Sequence, residues 1–207
     1  MSPCRVVVTA AAPYARRMTS MNRYHQWLCN SRMWARAVEK DLLPWALEDV
    51  PLGADTLEIG PGYGATTRVL ARRTGGRLSV LEVDEGPAER LRAEYGDRVD
   101  VVHGDGCAMP LPDGRFDAVL CFTMLHHVPS PRQQDQLFAE AFRVLRPGGV
   151  FAGCDGLAGW GFRLIHLRDT YVPVPPRTLP DRLRAAGFPT TDVSLRKDNF
   201  RFRAVRP

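Results

Sequence analysis

The segment Thr56-Leu57-Glu58-Ile59-Gly60-Pro61-Gly62-Tyr63-Gly64-Ala65-Thr66-Thr67 restricts the fold more than any other part of the chain. A short apolar run, Leu57 and Ile59, stops at three glycines in alternate positions and passes into a helical pattern from Thr66 to Arg73. Glycines so spaced let the backbone turn sharply and admit a ligand closer than any Cβ would allow. At the end of a strand in an open parallel sheet, that crevice is where α/β folds bind nucleotide-like ligands. The loop has two readings. Gly60-x-Gly62-x-x-Ala65 satisfies the dinucleotide fingerprint, with Glu82 at the distance of a ribose-binding acid. Yet Gly64 and the preceding acid, Glu58, stand outside that fingerprint, and a pyrophosphate favours amide donors and a helix N-terminus over an acid.

The rest of the chain alternates strands and helices. Residues 19 to 50 read as helical, since Trp27, Leu28, Trp34, Val38, Leu42, Leu43 and Leu47 recur at three- and four-residue steps. Pro44 separates two helices there or kinks one, and Pro51-Leu52-Gly53 leads into the first strand. Strands are predicted over Leu78 to Leu81, Val99 to Val102, Phe116 to Phe122 and Val150 to Cys154, with helices over Gly86 to Tyr95, Gln133 to Leu145 and Leu179 to Ala186. Phe116 to Phe122 is apolar except for Asp117, the pattern of a central strand buried on both faces. Asp192 to Leu195 and Phe200 to Val205 are joined too tightly for a helical crossover and are therefore antiparallel neighbours. The expected architecture is α/β, a doubly wound, mostly parallel seven-stranded sheet with a C-terminal antiparallel hairpin.

At 207 residues the chain suits one well-buried domain. Its net charge of +5 is carried almost wholly by arginines, Lys40 and Lys197 being the only lysines, and the arginines are scattered. A nucleic-acid footprint is a concentrated basic stripe, so no nucleic-acid partner is expected. The five cysteines, Cys4, Cys29, Cys107, Cys121 and Cys154, are odd in number and form no C-x-x-C pair. That excludes a disulfide framework and a zinc-ribbon pattern and points to a reducing, cytoplasmic setting. No apolar run approaches the ~18 residues of a membrane span, so no membrane association is expected. Val6 to Ala12 is apolar but is followed by Pro13 and Arg16-Arg17, which suits a disordered or loosely helical N-terminus better than an export signal.

Four segments now stand in order: the glycine loop at 58–64, the strand ending Leu81-Glu82-Val83-Asp84, the Gly104-Asp105 turn, and Phe116-Asp117-Ala118-Val119-Leu120-Cys121-Phe122. Together with Arg143-Val144-Leu145-Arg146-Pro147-Gly148-Gly149, this arrangement resembles the class I S-adenosylmethionine (SAM) dependent methyltransferases, well over residues 53–155 and loosely over the hairpin. The resemblance is closest to the ubiquinone/menaquinone-type and actinobacterial small-molecule branch. A cationic ligand without a pyrophosphate also explains the acid beside the loop.

The resemblance implies a role for each cofactor-side position. Glu82 accepts the ribose hydroxyls. Asp105 accepts the adenine amine, with Gly106 and Cys107 close by through backbone groups, and Phe122 borders the ligand. Gly60, Gly62 and Gly64 let the methionine end approach, and Glu58 acts near its amino group, directly or through water. Asp84 caps the following helix rather than touching cofactor.

On the acceptor side, Phe122-Thr123-Met124-Leu125-His126-His127 follows the fourth strand, where this superfamily places substrate-facing residues. His126 and His127 are candidate catalytic residues, either as a proton acceptor or as pocket wall, with His126 the nearer to the strand end. Adjacent residues lie about 100° apart on a helix, which makes the two a poor chelating pair. Tyr24, His25 and Trp27, and more weakly Tyr14, are further candidates on N-terminal helices that fold over the cofactor in this superfamily. Trp27 and Trp34, seven apart, are equally explained by packing on one helical face. Asp155, His166 and Tyr171 lie in the segment that commonly finishes the substrate wall. No metal is expected, because the stretch after the fourth strand lacks the carboxylates that hold magnesium in catechol-type enzymes.

The resulting expectation is a helical lid over residues 1–50 on a SAM-binding catalytic domain, residues 51–207. It would transfer a methyl group from SAM, leaving S-adenosylhomocysteine, to an O, N or C atom of a small molecule, as a monomer or homodimer. An apolar pocket from Phe122, Met124, Trp27 and Trp160 would receive the acceptor, plausibly in specialised metabolism. The alternatives are a protein or RNA methyltransferase, and a SAM-binding scaffold or non-methylating enzyme.

Overall fold

The computed structural model of the chain describes residues 22–207, the side chains of Arg23 and Tyr24 excepted. Tyr14, Cys4 and the N-terminal apolar stretch lie outside the described residues.

The sheet has seven strands: β1 (Asp55–Ile59), β2 (Arg77–Glu82), β3 (Asp100–His103), β4 (Phe116–Phe122), β5 (Leu145–Gly156), β6 (Thr190–Arg196) and β7 (Asn199–Val205). Their spatial order is β3-β2-β1-β4-β5-β7-β6. The first five are parallel, and β7 runs antiparallel between β5 and β6. The order reverses between β1 and β4, the switch point at which such sheets open a crevice beyond the carboxyl ends of their strands.

Strand β4 shows why the sheet must be covered on both faces. Val119 and Cys121 pack into one buried cluster with Leu137, Phe138, Phe151 and Phe188, while Ala118, Leu120 and Phe122 pack into the other with Val69, Leu70, Leu91 and Val150. Helices α6 (Pro131–Val144) and α8 (Leu179–Ala185) cover the first face, and α4 (Ala65–Arg73) and α5 (Glu85–Tyr95) cover the second. Asp117, the one break in the run, accepts hydrogen bonds from the backbone N–H groups of Ala54 and Asp55 at 2.7 and 2.9 Å and pairs with Arg146. It clamps the start of β1, and Gly53 at φ +70° leaves it the room to do so.

The N-terminal helical region is more broken than its periodicity predicts. It comprises α1 (Arg23–Cys29), α2 (Arg32–Ala37), a π-helical turn (Val38–Leu42) and α3 (Leu43–Ala46). The chain restarts at Ser31, whose hydroxyl accepts from Trp34 N–H, so Trp27 and Trp34 sit on different helices and share no face. Trp34 packs on the core, and Trp27 is 64% exposed. Pro44 comes just after the π-helical turn, inside a helical run that continues from α2 into α3.

Strand β5 begins five residues earlier than expected, because Leu145 already pairs with Phe116 before a register shift. The segment after β5 contains α7 (Trp160–Ile165), followed by an irregular stretch that returns to the cleft. No helix among the described residues is long and apolar enough to cross a membrane.

Candidate functional site

The three glycines of the loop all adopt left-handed backbone, with φ of +65° at Gly60, +53° at Gly62 and +79° at Gly64. Gly60 N–H donates to Leu81 O of β2 and Gly64 N–H to Pro61 O, both at 2.9 Å, so the loop is tied to the next strand and closed by a tight turn. A Cβ on Gly60 would press on Met124, and one on Gly64 would meet Leu91 at 2.8 Å. Above Gly62 there is open space. The middle glycine is therefore the one that admits a ligand, and its neighbours pack the loop onto the domain.

Glu58 does not reach the cleft. Its side chain is buried beneath the loop, where one carboxylate oxygen accepts from the Thr66 hydroxyl and the other from the Thr67 hydroxyl, the latter at 2.6 Å. Burial pushes its pKa up to about 7 against those two hydrogen bonds. The expected contact with the ligand's amino group is thus corrected. The acid fastens the strand end to the first turn of α4, and that holds the glycine loop in shape.

Glu82, at the end of β2, lines the cleft. Its Oε2 accepts from Gly62 N–H at 2.9 Å and its Oε1 from Asp84 N–H at 3.0 Å. These bonds aim the carboxylate, and each oxygen retains a second lone pair for a ligand hydroxyl. Burial raises its pKa, and the backbone N–H groups offset part of that rise. Asp84 occupies the N-cap position of α5 as expected but makes no side-chain cap bond there, and it lines the cleft instead. Asp105, Gly106 and Cys107, just beyond β3, also line the cleft. Asp105 Oδ1 accepts from Cys107 N–H at 2.8 Å, which leaves its other oxygen for a ligand donor. Phe122 and Leu137 add apolar wall.

The cleft encloses about 390 Å³, within the usual range for small-molecule sites. Glu82 and Asp105 stand along it, with open space at Gly62. This donor and acceptor set fits SAM: carboxylates for a diol and for an amine, and no arginine among the described residues that line the cleft.

Beyond Phe122 the chain leaves β4 sharply. Thr123 has φ +49°, a strained value for a β-branched residue, and its N–H donates to Cys154 O at 2.8 Å. The kink leads into a 3-10 turn over Leu125–His127. That turn overrides the helical spacing expected for the two histidines, whose ring centroids lie 4.2 Å apart; both line the cleft.

His126 is 2% exposed and held at both ring nitrogens. Its Nδ1 lies 2.5 Å from Asp155 Oδ1 and its Nε2 lies 2.9 Å from His166 Nε2. His166 Nδ1 donates to Phe162 O at 2.7 Å, so His166 Nε2 is the acceptor for His126. Both nitrogens of His126, the favoured proton acceptor from sequence, are therefore engaged inside the protein. His25 differs. Asp169 Oδ2 takes its Nδ1 at 2.9 Å, and Nε2 is its remaining ring nitrogen, on a side chain that lines the cleft. His127 is kept neutral: burial, and then the neighbouring imidazoles, push its pKa down to about 2. Burial likewise lowers His166 to about 4. The rings of His166 and Tyr171 stack at 5.1 Å.

Of Asp155, His166 and Tyr171, His166 lines the cleft, whereas Asp155 is buried behind His126 and Tyr171 stacks on His166 from outside the lining. Trp27 and Trp160 do not join it; they are 64% and 80% exposed, and Phe162 and Ile165 of α7 line the cleft in their stead. Tyr24 lies on α1, with its side chain outside the described residues. Asp169 was missed in the sequence, because nothing in the irregular stretch around it has a period or a motif spacing.

Residues 57–153 match the family described as a methyltransferase domain. A Mycolicibacterium smegmatis protein named "Probable S-adenosylmethionine-dependent methyltransferase" is 44% identical over 99 residues, 48% of this chain and 37% of that protein. The demethylmenaquinone methyltransferase of Clavibacter sepedonicus is 32% identical over 128 residues, 61% of this chain and 48% of that one. The chain therefore spans less than half the length of these two relatives. Among solved structures, a SAM-dependent methyltransferase of Thermotoga maritima superposes over 91% of this chain and 100% of its own, with a TM-score of 0.69 and 19% identity, a likeness of fold. The family match, the sheet order with its C-terminal hairpin and the glycine loop agree, and residues 57–153 are a methyltransferase domain of the class I SAM-dependent superfamily.

Proposed function

We propose that the chain transfers a methyl group from SAM to a small, largely apolar acceptor. The observation that carries this reading is a single cleft with two unlike ends: the Gly62 opening and the Glu82 carboxylate at one, and a buried imidazole cluster at the other. When bound, SAM supplies an electrophilic methyl group on a sulfonium leaving group. Glu82 is placed to accept the ribose hydroxyls and Asp105 to accept the adenine amine, while the loop at Gly62 admits the methionine end. Glu58, Thr66 and Thr67 act indirectly, by fixing the loop.

The acceptor's reacting atom is steered by the imidazole cluster. Asp169 orients His25, Asp155 orients His126, and no long-range proton path is required for a reaction that depends chiefly on alignment. Met124, Phe162, Ile165 and Leu28 make the acceptor end apolar. Trp27, Trp160, Leu164 and Leu167 expose further apolar surface on α1, on α7 and just beyond it, elements that border the cleft. The quinone named for the Clavibacter relative is an acceptor of this kind. The arginines are scattered along the sequence rather than run together, which disfavours RNA. We place the enzyme in the cytoplasm, as a monomer or homodimer, with residues 1–50 acting as a lid on the catalytic domain 51–207.

The test is transfer of labelled methyl from SAM to a panel of quinols, phenols and sterol-like lipids, run beside total RNA and a cell-protein fraction. Label in the organic extract supports the reading. Label confined to RNA or protein overturns it.

A further inference from the structure

We propose that His25, His127 and His166 form a binding site for a divalent transition-metal ion of the zinc class, with its fourth position open to the cleft. One ligand atom from each residue lies within 4.8 Å of the other two. The three come from separate elements: α1, the 3-10 turn after β4, and the stretch after α7. Folding alone brings them together, which no local spacing could reveal.

The second observation is what holds the other side of each ring. Asp169 takes His25 Nδ1, the carbonyl of Phe162 takes His166 Nδ1, and the backbone of Thr170 bonds His127. His25 and His166 thus each have one nitrogen committed to a protein acceptor, which fixes the tautomer and leaves the other nitrogen as a lone pair; that of His166 accepts from His126. That is the outer-shell pattern of histidine metal ligands. All three acceptors lie between residues 162 and 170, so one short stretch orients the whole set.

The surroundings of the rings and their spacing agree with this assignment. The carboxyl side chains of Asp155 and Asp169 are 1% and 0% exposed and sit directly behind His126 and His25. Carboxyl groups directly behind the rings are the usual outer-shell partners of histidine ligands. A tetrahedral ion at ~2.0–2.1 Å from nitrogen needs donors about 3.3 Å apart, so ring rotations that move each donor by about 1 Å complete the site. Loading would exchange the His126–His166 hydrogen bond for a metal bond, and His126 Nε2 would turn to whatever fills the fourth position. Three nitrogens with one open position is the arrangement of catalytic rather than structural zinc. The ligand class for that position is an ionisable oxygen, such as a phenol, enol or hydroxyl of the acceptor. This last step rests on the methyltransferase reading; ion binding does not.

The experiment uses the untagged full chain, stripped with a chelator and titrated with Zn²⁺ by calorimetry and with Co²⁺ by visible absorption. One ion per chain is expected, with the ligand-field bands of a four- or five-coordinate nitrogen site. His127→Ala and His166→Ala are each expected to weaken binding by 100-fold or more, and Asp169→Asn by 10- to 100-fold. Thermal melts check that each variant folds, and the wild-type Co²⁺ spectrum decides the matter if one does not. No ligand-field band, or stoichiometric binding retained by the His25→Ala/His127→Ala/His166→Ala variant, overturns the proposal. A parallel titration with S-adenosylhomocysteine separates the two readings, since failure to bind the nucleoside leaves the metal result standing.

Discussion

Asp169 Oδ2 lies 2.9 Å from His25 Nδ1, joining residues 144 positions apart. The same carboxylate accepts from Asn22 N–H through Oδ1 at 2.5 Å, and Asn22 Nδ2 donates to Ile165 O at 2.8 Å. One buried acid therefore latches α1 to the segment after α7 and aims a histidine of the cleft. Asp169→Asn is expected to lower turnover 10- to 100-fold while changing S-adenosylhomocysteine affinity by less than threefold, because Glu82 and Asp105 are untouched. Calorimetry and initial rates on one sample check the split. A parallel loss of both would mean that the latch also shapes the cofactor end.

Glu82→Ala removes the acceptor for Gly62 N–H and Asp84 N–H as well as any bond to ligand hydroxyls. Affinity for S-adenosylhomocysteine should fall by 100-fold or more, since a hydrogen bond to a charged group is worth about 1.5–3 kcal/mol. Glu82→Gln should lose less, because an amide oxygen still accepts. Undiminished affinity in the alanine variant would remove Glu82 from the ribose site.

Gly62 and Gly64 separate two uses of the same residue type. Both have positive φ, so alanine at either costs about 1 kcal/mol of backbone strain. At Gly64 the new Cβ also meets Leu91 at 2.8 Å, whereas at Gly62 it enters open space. Gly64→Ala should show the lower melting temperature, and Gly62→Ala the weaker nucleoside binding. Equal affinities for the two variants would contradict the placement of the ligand over Gly62.

Glu58 sets a pH dependence of known sign. Burial raises its pKa from 4.5 to about 7, so the folded protein holds a proton that the unfolded chain releases. Its contribution is full below pH 4.5 and is lost as pH rises through about 7, by on the order of 3 kcal/mol. Denaturant titrations of the wild type and Glu58→Gln from pH 4.5 to 8 should therefore diverge, with the variant lacking this decline. Parallel curves would show that the two threonine hydroxyls keep Glu58 ionised throughout.

What the sequence made legible is what period and spacing encode. The continuous apolar run of β4, the three glycines and the tight β6–β7 connection each state a local rule, and the sheet order is consistent with them. That Glu82 and Asp105 line the cleft is legible for the same reason, since they stand at or just beyond strand ends. Glu58 shows the limit: an acid beside a glycine loop reads as facing the ligand, and only packing reveals that Thr66 and Thr67 draw it inward. The acceptor end depends on contacts across long separations, such as Asp169 with His25 and His126 with His166, which no window on the chain contains. Trp27 and Trp160 mislead in the opposite way, because large aromatic residues suggest a pocket that their exposure denies.

The central claim is that the cleft holds SAM and not a dinucleotide. Calorimetric titration of the purified chain with S-adenosylhomocysteine, with NAD as the parallel ligand, tests it most directly. Micromolar, one-to-one binding of S-adenosylhomocysteine with no heat from NAD is the expected result. Binding of NAD alone, or of neither ligand, would contradict the account.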